Sequence, residues 1–302
     1  MENHVKIALI QMMVAEDVDE NLQLAAEKVK KAAEMGADFV LLPEMFCCPY
    51  RSDSFVKNQE PAGGPIWQAL SDMAKENHIY LIGGTMPESD RGELPKAAHD
   101  IQNDWQQVQK RSSVGQAKIY NTCFVFNPAG LQIGRHRKMH LFDIDIRGGQ
   151  RFCESDTFSA GNEVTVIDTK YGKIGVEICF DIRFQELTHL MALEGAGIVF
   201  VPAAFNMTTG PVHWDLHFRA RAVDSQIFMT GCSAARDTKA AYVAYGHSLL
   251  VSPWGDILQE ADEREQIILQ EIDLSQIADI RAQLPILSAR REDVYQLTQN
   301  RN

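Results

Sequence analysis

The chain of 302 residues reads as an α/β protein. Three features predict that class. Short apolar runs of strand character alternate with amphipathic stretches of helical period; several runs are apolar at consecutive positions, as strands covered on both faces are; and three pairs of runs are joined by turn sequences as β-hairpins. No obvious linker divides the chain, and its length is ample for one large core, so a single domain over residues 1–302 is expected.

Residues 4–13, which alternate and then merge into an apolar run, form the first strand. A helix follows, capped by Asp19, with Leu22, Ala25, Val29 and Ala32 on one face and Gly36 at its end. Ala37-Asp38-Phe39-Val40-Leu41-Leu42-Pro43 is a short buried strand that stops at Glu44. Gly64-Pro65 opens a second helix, whose Ile66, Leu70 and Met73 share a face, and residues 78–85 return as a strand. Residues 88–118 break the alternation, being turn-like and then polar and Gln-rich, and read as an inserted surface excursion: a lid, a subunit contact or a disordered loop. Residues 119–126 and 131–134 flank a turn at Asn127-Pro128-Ala129-Gly130 and make the first hairpin. Gly148-Gly149 marks a turn, and residues 164–168 and 172–178 make the second hairpin, whose return strand carries Cys179. A helix over 184–194 turns Leu187, Leu190 and Met191 inward; a strand over 198–202 leads into a loop; and a helix over 213–225 follows with Leu216, Ala220 and Val223 as its inner face. A strand at 226–230 and a hairpin around Ser252-Pro253-Trp254-Gly255-Asp256 complete the core. From about residue 273 the tail is helical and then irregular, and its sparse apolar content suggests packing on a neighbour or another subunit.

Three polar residues stand at the ends of these apolar elements. Cys179 closes a strand and enters a helical turn, where unpaired N–H groups and the positive helix end favour thiolate over thiol. A strand-end cysteine is ordinary packing unless a base stands near it. Glu44 is either the first polar residue after a core strand or a general base whose pKa partial burial raises. Lys138 lies in Arg135-His136-Arg137-Lys138-Met139-His140, a stretch open to reading as a solvated turn; followed by apolar residues, the lysine also fits an electrophile for developing negative charge.

Composition narrows the partners. A net charge of −12 argues against nucleic acid, and no apolar run reaches the roughly 18 residues of a membrane span. The N-terminus lacks the pattern of a secretory signal, which points to the cytoplasm. Six cysteines at 47, 48, 123, 153, 179 and 232 have no C-x-x-C spacing, so neither a zinc cluster nor a disulfide frame is indicated, and no metal or cofactor is implied.

Taken together, Leu41-Leu42-Pro43-Glu44-Met45-Phe46, Arg137-Lys138-Met139-His140-Leu141-Phe142 and Val176-Glu177-Ile178-Cys179-Phe180-Asp181-Ile182-Arg183-Phe184 resemble the three motifs of the nitrilase, or carbon–nitrogen hydrolase, superfamily. The resemblance covers nearly the whole chain outside 88–118. It implies a four-layer αββα sandwich, usually dimerised through helices of that sandwich, hence a homodimer or larger homo-oligomer. It also implies that Cys179 attacks an amide, Glu44 moves the proton, Lys138 and the Phe180 N–H hold the oxyanion, and Glu154 is the second glutamate that orients lysine and base. The runs at 204–214, 219–224 and 235–248 are similar to the ω-amidase branch, which acts on α-ketoglutaramate, α-ketosuccinamate and related dicarboxylic monoamides. A small anionic amide substrate is therefore expected, with Arg236, Tyr245, Thr208 and the N–H groups around Phe205, Asn206 and Met207 as its contacts. A deaminated-glutathione amidase, an N-carbamyl amidohydrolase and a binding or assembly module with an inactive site are the alternatives.

Overall fold

The computed structural model describes residues 3–91, 117–147 and 151–300. Two sheets face each other. The first contains β1 (His4–Gln11), β2 (Phe39–Leu41), β3 (Tyr80–Ile82), β4 (Met86–Ser89), β5 (Ile119–Phe126), β6 (Gln132–Arg137) and β15 (Gln266–Asp273). Its order is β15-β1-β2-β3-β5-β4, with β6 on the other flank of β5. The second contains β9 (Thr165–Thr169), β10 (Gly172–Val176), β11 (Ala196–Ala203), β12 (Phe228–Ser233), β13 (Leu249–Val251) and β14 (Ile257–Glu260), ordered β14-β13-β12-β11-β10-β9. A separate ribbon pairs β7 (Asp143–Asp145) with β8 (Arg151–Cys153).

Each sheet has a parallel centre, and parallel neighbours need crossovers. In the first sheet these are α1 (Val18–Glu34) and the pair α2 (Ser52–Lys57) and α3 (Pro65–Asn77); in the second they are α4 (Gln185–Leu193) and α5 (Gly210–Ser225). The alternation along β1 shows how the layers are divided. Val5, Ile7 and Leu9 join the core between the sheets, whereas Ala8 and Ile10 join Ala25, Val29 and Leu70 beneath α1 and α3. The Phe39 and Phe200 rings meet across the sheets at 5.4 Å, and the Cys232 thiol donates to the Ile10 carbonyl at 3.2 Å. The result is the αββα sandwich.

Several local expectations change. Asp17, not Asp19, caps α1, its carboxylate accepting the Glu20 N–H at 3.0 Å, while Asp19 lies in the first turn. Glu88 and Ser89, read as the start of the excursion, complete β4 instead; residues 92–116 of that excursion and the Gly148-Gly149 turn lie outside the described residues. The inner face of α5 is Trp214, Phe218, Ala222 and Ser225, and Leu216 stands 61% exposed. Two stripes of helical period run along this helix, and the aromatic one fills more volume against Phe205 and β12. β15 went unread in the sequence, although it pairs with β1 antiparallel from His4–Asp273 to Gln11–Gln266. After it, α6 (Ser275–Gln283) buries no residue.

Candidate active site

Three chain reversals bring Glu44, Lys138 and Cys179 together at one end of the sandwich. After β2 the chain turns at Met45, which has φ +51°, and the Met45 N–H donates to Thr85 Oγ1 at 2.8 Å. Gly84 packs against this turn with φ +59°; a Cβ there would lie 2.3 Å from the Pro43 carbonyl oxygen. Lys138 follows β6 and stays tied to β5 through its N–H, which donates to the Asn121 carbonyl at 2.9 Å. Cys179 follows β10 with φ +47°, an unusual conformation for a residue with a Cβ, and opens a five-residue 3-10 turn, Cys179–Arg183.

Asp181 holds the cysteine turn to the lysine loop. Its carboxylate accepts the Ile178 N–H at 3.1 Å, the His140 N–H at 2.8 Å and His140 Nδ1 at 2.7 Å, and lies 3.1 Å from His136 Nε2. Although burial opposes its charge, His136 and His140 hold Asp181 well below the ordinary carboxylate range. The sequence reading missed this anchor.

Within the site, Lys138 Nζ lies 2.9 Å from Glu44 Oε1 and 2.8 Å from Glu154 Oε2, all three side chains fully enclosed. Asn121 Nδ2 donates to Glu44 Oε1 at 2.8 Å, and Glu44 Oε2 is buried without a hydrogen-bond partner among the described residues. Tyr50, also missed, donates to Glu154 Oε1 at 2.5 Å and lies 3.3 Å from Glu44 Oε1. Glu154 Oε2 accepts the Phe142 N–H at 2.6 Å, so the second glutamate is fixed from both sides. The Ala204 N–H points at Cys179 Sγ from 3.5 Å, and Phe180 occupies the first turn after the cysteine, where N–H groups lack intrahelical acceptors.

Burial dominates the electrostatics. It raises the Glu44 carboxyl, against the pull of Lys138. Burial also opposes the Lys138 ammonium, but Glu154, Glu44 and Cys179 outweigh it and hold the lysine above its ordinary value. The Cys179 thiol is pushed well up, first by burial and then by Glu44. Burial therefore favours the thiol, against the thiolate expected at a helix start: α4 begins only at Gln185, and a short 3-10 turn carries too little dipole to offset desolvation.

A cavity of about 480 Å³ opens beside this cluster, lined by Glu44, Cys48, Tyr50, Ala204, Lys239 and Tyr242 among others. None of the six residues expected to contact substrate lines it. Phe205 packs edge-on against Trp214 at 5.0 Å, and Asn206 Oδ1 accepts the N–H groups of Thr208 and Thr209. Met207 and Thr208 are exposed; Arg236 donates to the Tyr245 carbonyl at 2.6 Å; and Tyr245 stacks on His247. Their chain neighbours Ala204, Ala235, Asp237 and Ala244 line the cavity instead. A different cation stands closer to the chemistry. Arg183 lies over the Phe180 and Phe205 rings, interacts with Cys179 and Tyr242, and among the described residues pairs with no carboxylate.

Residues 6–282 match the carbon–nitrogen hydrolase family. The chain belongs to that family. Among relatives of this carbon–nitrogen hydrolase, omega-amidase NIT2-A of Xenopus laevis is 45% identical over 297 residues, covering 98% of this chain and 99% of the relative. Human omega-amidase NIT2 is 42% identical over 290 residues, covering 96% of each. The crystal structure of Saccharomyces cerevisiae Nit3, a member of branch 10 of the nitrilase superfamily, superposes with a TM-score of 0.80 at 39% identity, covering 96% of this chain and 97% of that one. The carbon–nitrogen hydrolase described here is therefore an amidase of the nitrilase superfamily. Among its described residues no helix is long and apolar enough to cross a membrane.

Proposed function

We propose that this amidase cleaves the terminal amide of small dicarboxylic monoamides, such as α-ketoglutaramate and α-ketosuccinamate, to the acid and ammonia through a thioester on Cys179. The observation that carries the reading is the enclosed Lys138 ammonium bound to both Glu44 and Glu154, with the buried Cys179 thiol close enough to interact with Lys138 and Glu44. An amide carbon is a weak electrophile, and its hydrolysis near neutral pH needs an activated nucleophile, an oxyanion donor and an acid for the leaving amine. Glu44 takes the Cys179 proton as sulfur bonds to the carbonyl carbon, and Lys138 with the Phe180 N–H holds the oxyanion. The C–N bond then breaks as Glu44 returns the proton to nitrogen, releasing ammonia. Glu44 next deprotonates a water that attacks the thioester, and the carboxylic acid leaves as the thiol re-forms. Glu154, fixed by Tyr50 and the Phe142 N–H, keeps the lysine in place.

The name of the relatives, omega-amidase, supports the substrate class, and so does Arg183, a cation close to Cys179 that pairs with no carboxylate among the described residues. We assign Arg183 to the distal carboxylate. The six free cysteines fit a reducing compartment such as the cytoplasm. The outward apolar stripe of α5 fits a homodimer. An ammonia-release panel of short ω-amides tests the reaction: Cys179→Ser should lose at least about a thousandfold in kcat/KM, and a Cys179→Ala enzyme that still hydrolyses amides at the wild-type rate would remove the thioester route.

A further inference from the structure

Arg183 is held in an uncommon way. A single nitrogen, Nη1, lies 3.1 Å from His213 Nδ1 and 3.0 Å from His217 Nε2. A guanidinium can only donate, so both imidazole nitrogens must be unprotonated acceptors. Burial, then Arg183 itself, lowers both imidazoles, His217 to about 4, which keeps the rings neutral near pH 7. The usual partner of a half-buried arginine is a carboxylate, which binds the fork through two nitrogens and cancels its charge. Two neutral imidazoles fix the orientation and leave the charge whole. Arg183 Nε is buried without a partner among the described residues, and Phe180 and Phe205 face the guanidinium at 5.6 and 4.9 Å from their ring centres, so the group is both desolvated and immobilised. The sequence places the two histidines one turn apart on α5, which also carries Arg221 against the carbonyls of Ile182 and Arg183; helix and cysteine turn are thereby locked together.

We propose that His213 and His217 are positioning residues that hold Arg183 as a preorganised carboxylate receptor beside Cys179, and so set the preference of this amidase for anionic amides. The inference rests on the assignment of Arg183 to the substrate carboxylate. Preorganisation acts on binding rather than on the acyl-transfer step, so its loss appears in KM.

The test is steady-state kinetics of the full-length enzyme on α-ketoglutaramate and on valeramide, a neutral amide of the same chain length, with the oligomeric state of each variant checked in parallel. His217→Leu should raise KM for α-ketoglutaramate about tenfold with kcat within about twofold, leave valeramide turnover near wild type, and be rescued to within about threefold by His217→Gln, whose amide oxygen replaces the acceptor. Arg183→Leu should raise the same KM at least as much. Equal losses on both amides, or no rescue by glutamine, overturn the positioning role. If Arg183→Leu weakens α-ketoglutaramate while His217→Leu and His213→Leu do not, the clamp is wrong and the carboxylate assignment stands. If Arg183→Leu has no effect on that KM, the assignment falls and the clamp with it.

Discussion

Glu44 must be ionised to take the Cys179 proton, and its burial holds the carboxyl above the ordinary value of 4.5. The kcat/KM profile should therefore rise along an acid limb placed above 4.5. Lys138 and Cys179 are both held above their ordinary values, so neither should lose its proton to solvent on the way through neutral pH. An acid limb at or below 4.5 would rule Glu44 out as the base. A second buried carboxyl affects stability instead. Glu177 accepts the Thr188 hydroxyl at 2.6 Å, its other oxygen has no partner among the described residues, and burial pushes it up to about 8. Between 4.5 and about 8 the unfolded chain has released this proton while the folded chain keeps it, so stability falls as pH rises across that window and then levels off. Glu177→Gln removes the dependence, and thermal melts at pH 5 and pH 8.5 should show the variant gaining on wild type at the higher pH by on the order of a few kcal/mol; parallel curves would contradict this. Glu44 and Cys179 were legible because each closes an apolar strand, and Lys138 because apolar residues rather than more lysines follow it in a basic stretch. Tyr50 and Asp181 were not, since their partners lie far along the chain, Glu154 for Tyr50 and His136 and His140 for Asp181. The residues expected to contact substrate lie one step along the chain from the cavity lining: Ala204 and Ala235 line it, and Phe205 and Arg236 do not.

Among the elements, legibility followed local signals. The hairpins at β5–β6 and β9–β10 are written in turn chemistry and paired as read. β15 escaped because its partner β1 lies at the opposite end of the chain, and its alternation is weak: within the strand only Ile268 and Ile272 are buried. β4 escaped for a different reason. Glu88 looks like a surface turn residue, yet it is enclosed and paired with Arg135 and Arg137 of β6, so the two arginines that suggested a solvated basic turn neutralise a buried carboxylate across the sheet. That pairing takes most of the basic character out of the Arg135 to His140 stretch and leaves Lys138 as its enclosed cation. On α5 the periodicity was real on both faces, and side-chain volume decided between them.

At the scale of the whole molecule, the face that α5 does not bury requires a reason. Val212, Leu216 and Val223 form an outward stripe, 63%, 61% and 36% exposed. Arg219 Nε donates to the Gly255 carbonyl at 2.8 Å, which brings the β13–β14 turn, with Trp254 56% exposed, alongside the same helix. Apolar side chains grouped in this way on an exposed surface mark an interface more often than chance exposure. A second copy of the chain is the occupant we propose, since a twofold axis lets one stripe cover itself. On that geometry Leu216→Glu places two carboxylates near the axis of a protein that already carries −12, and association should fail. Sedimentation should give a dimer for wild type and a monomer for Leu216→Glu, with the far-ultraviolet circular dichroism of the two superimposable because Leu216 contributes nothing to the core. Equal masses for the two proteins would end the proposal. The same experiment bears on the site, because His217 is the next residue on α5: if dimerisation sets the final position of that helix, the Leu216→Glu monomer should show a raised KM for α-ketoglutaramate alongside its lost partner.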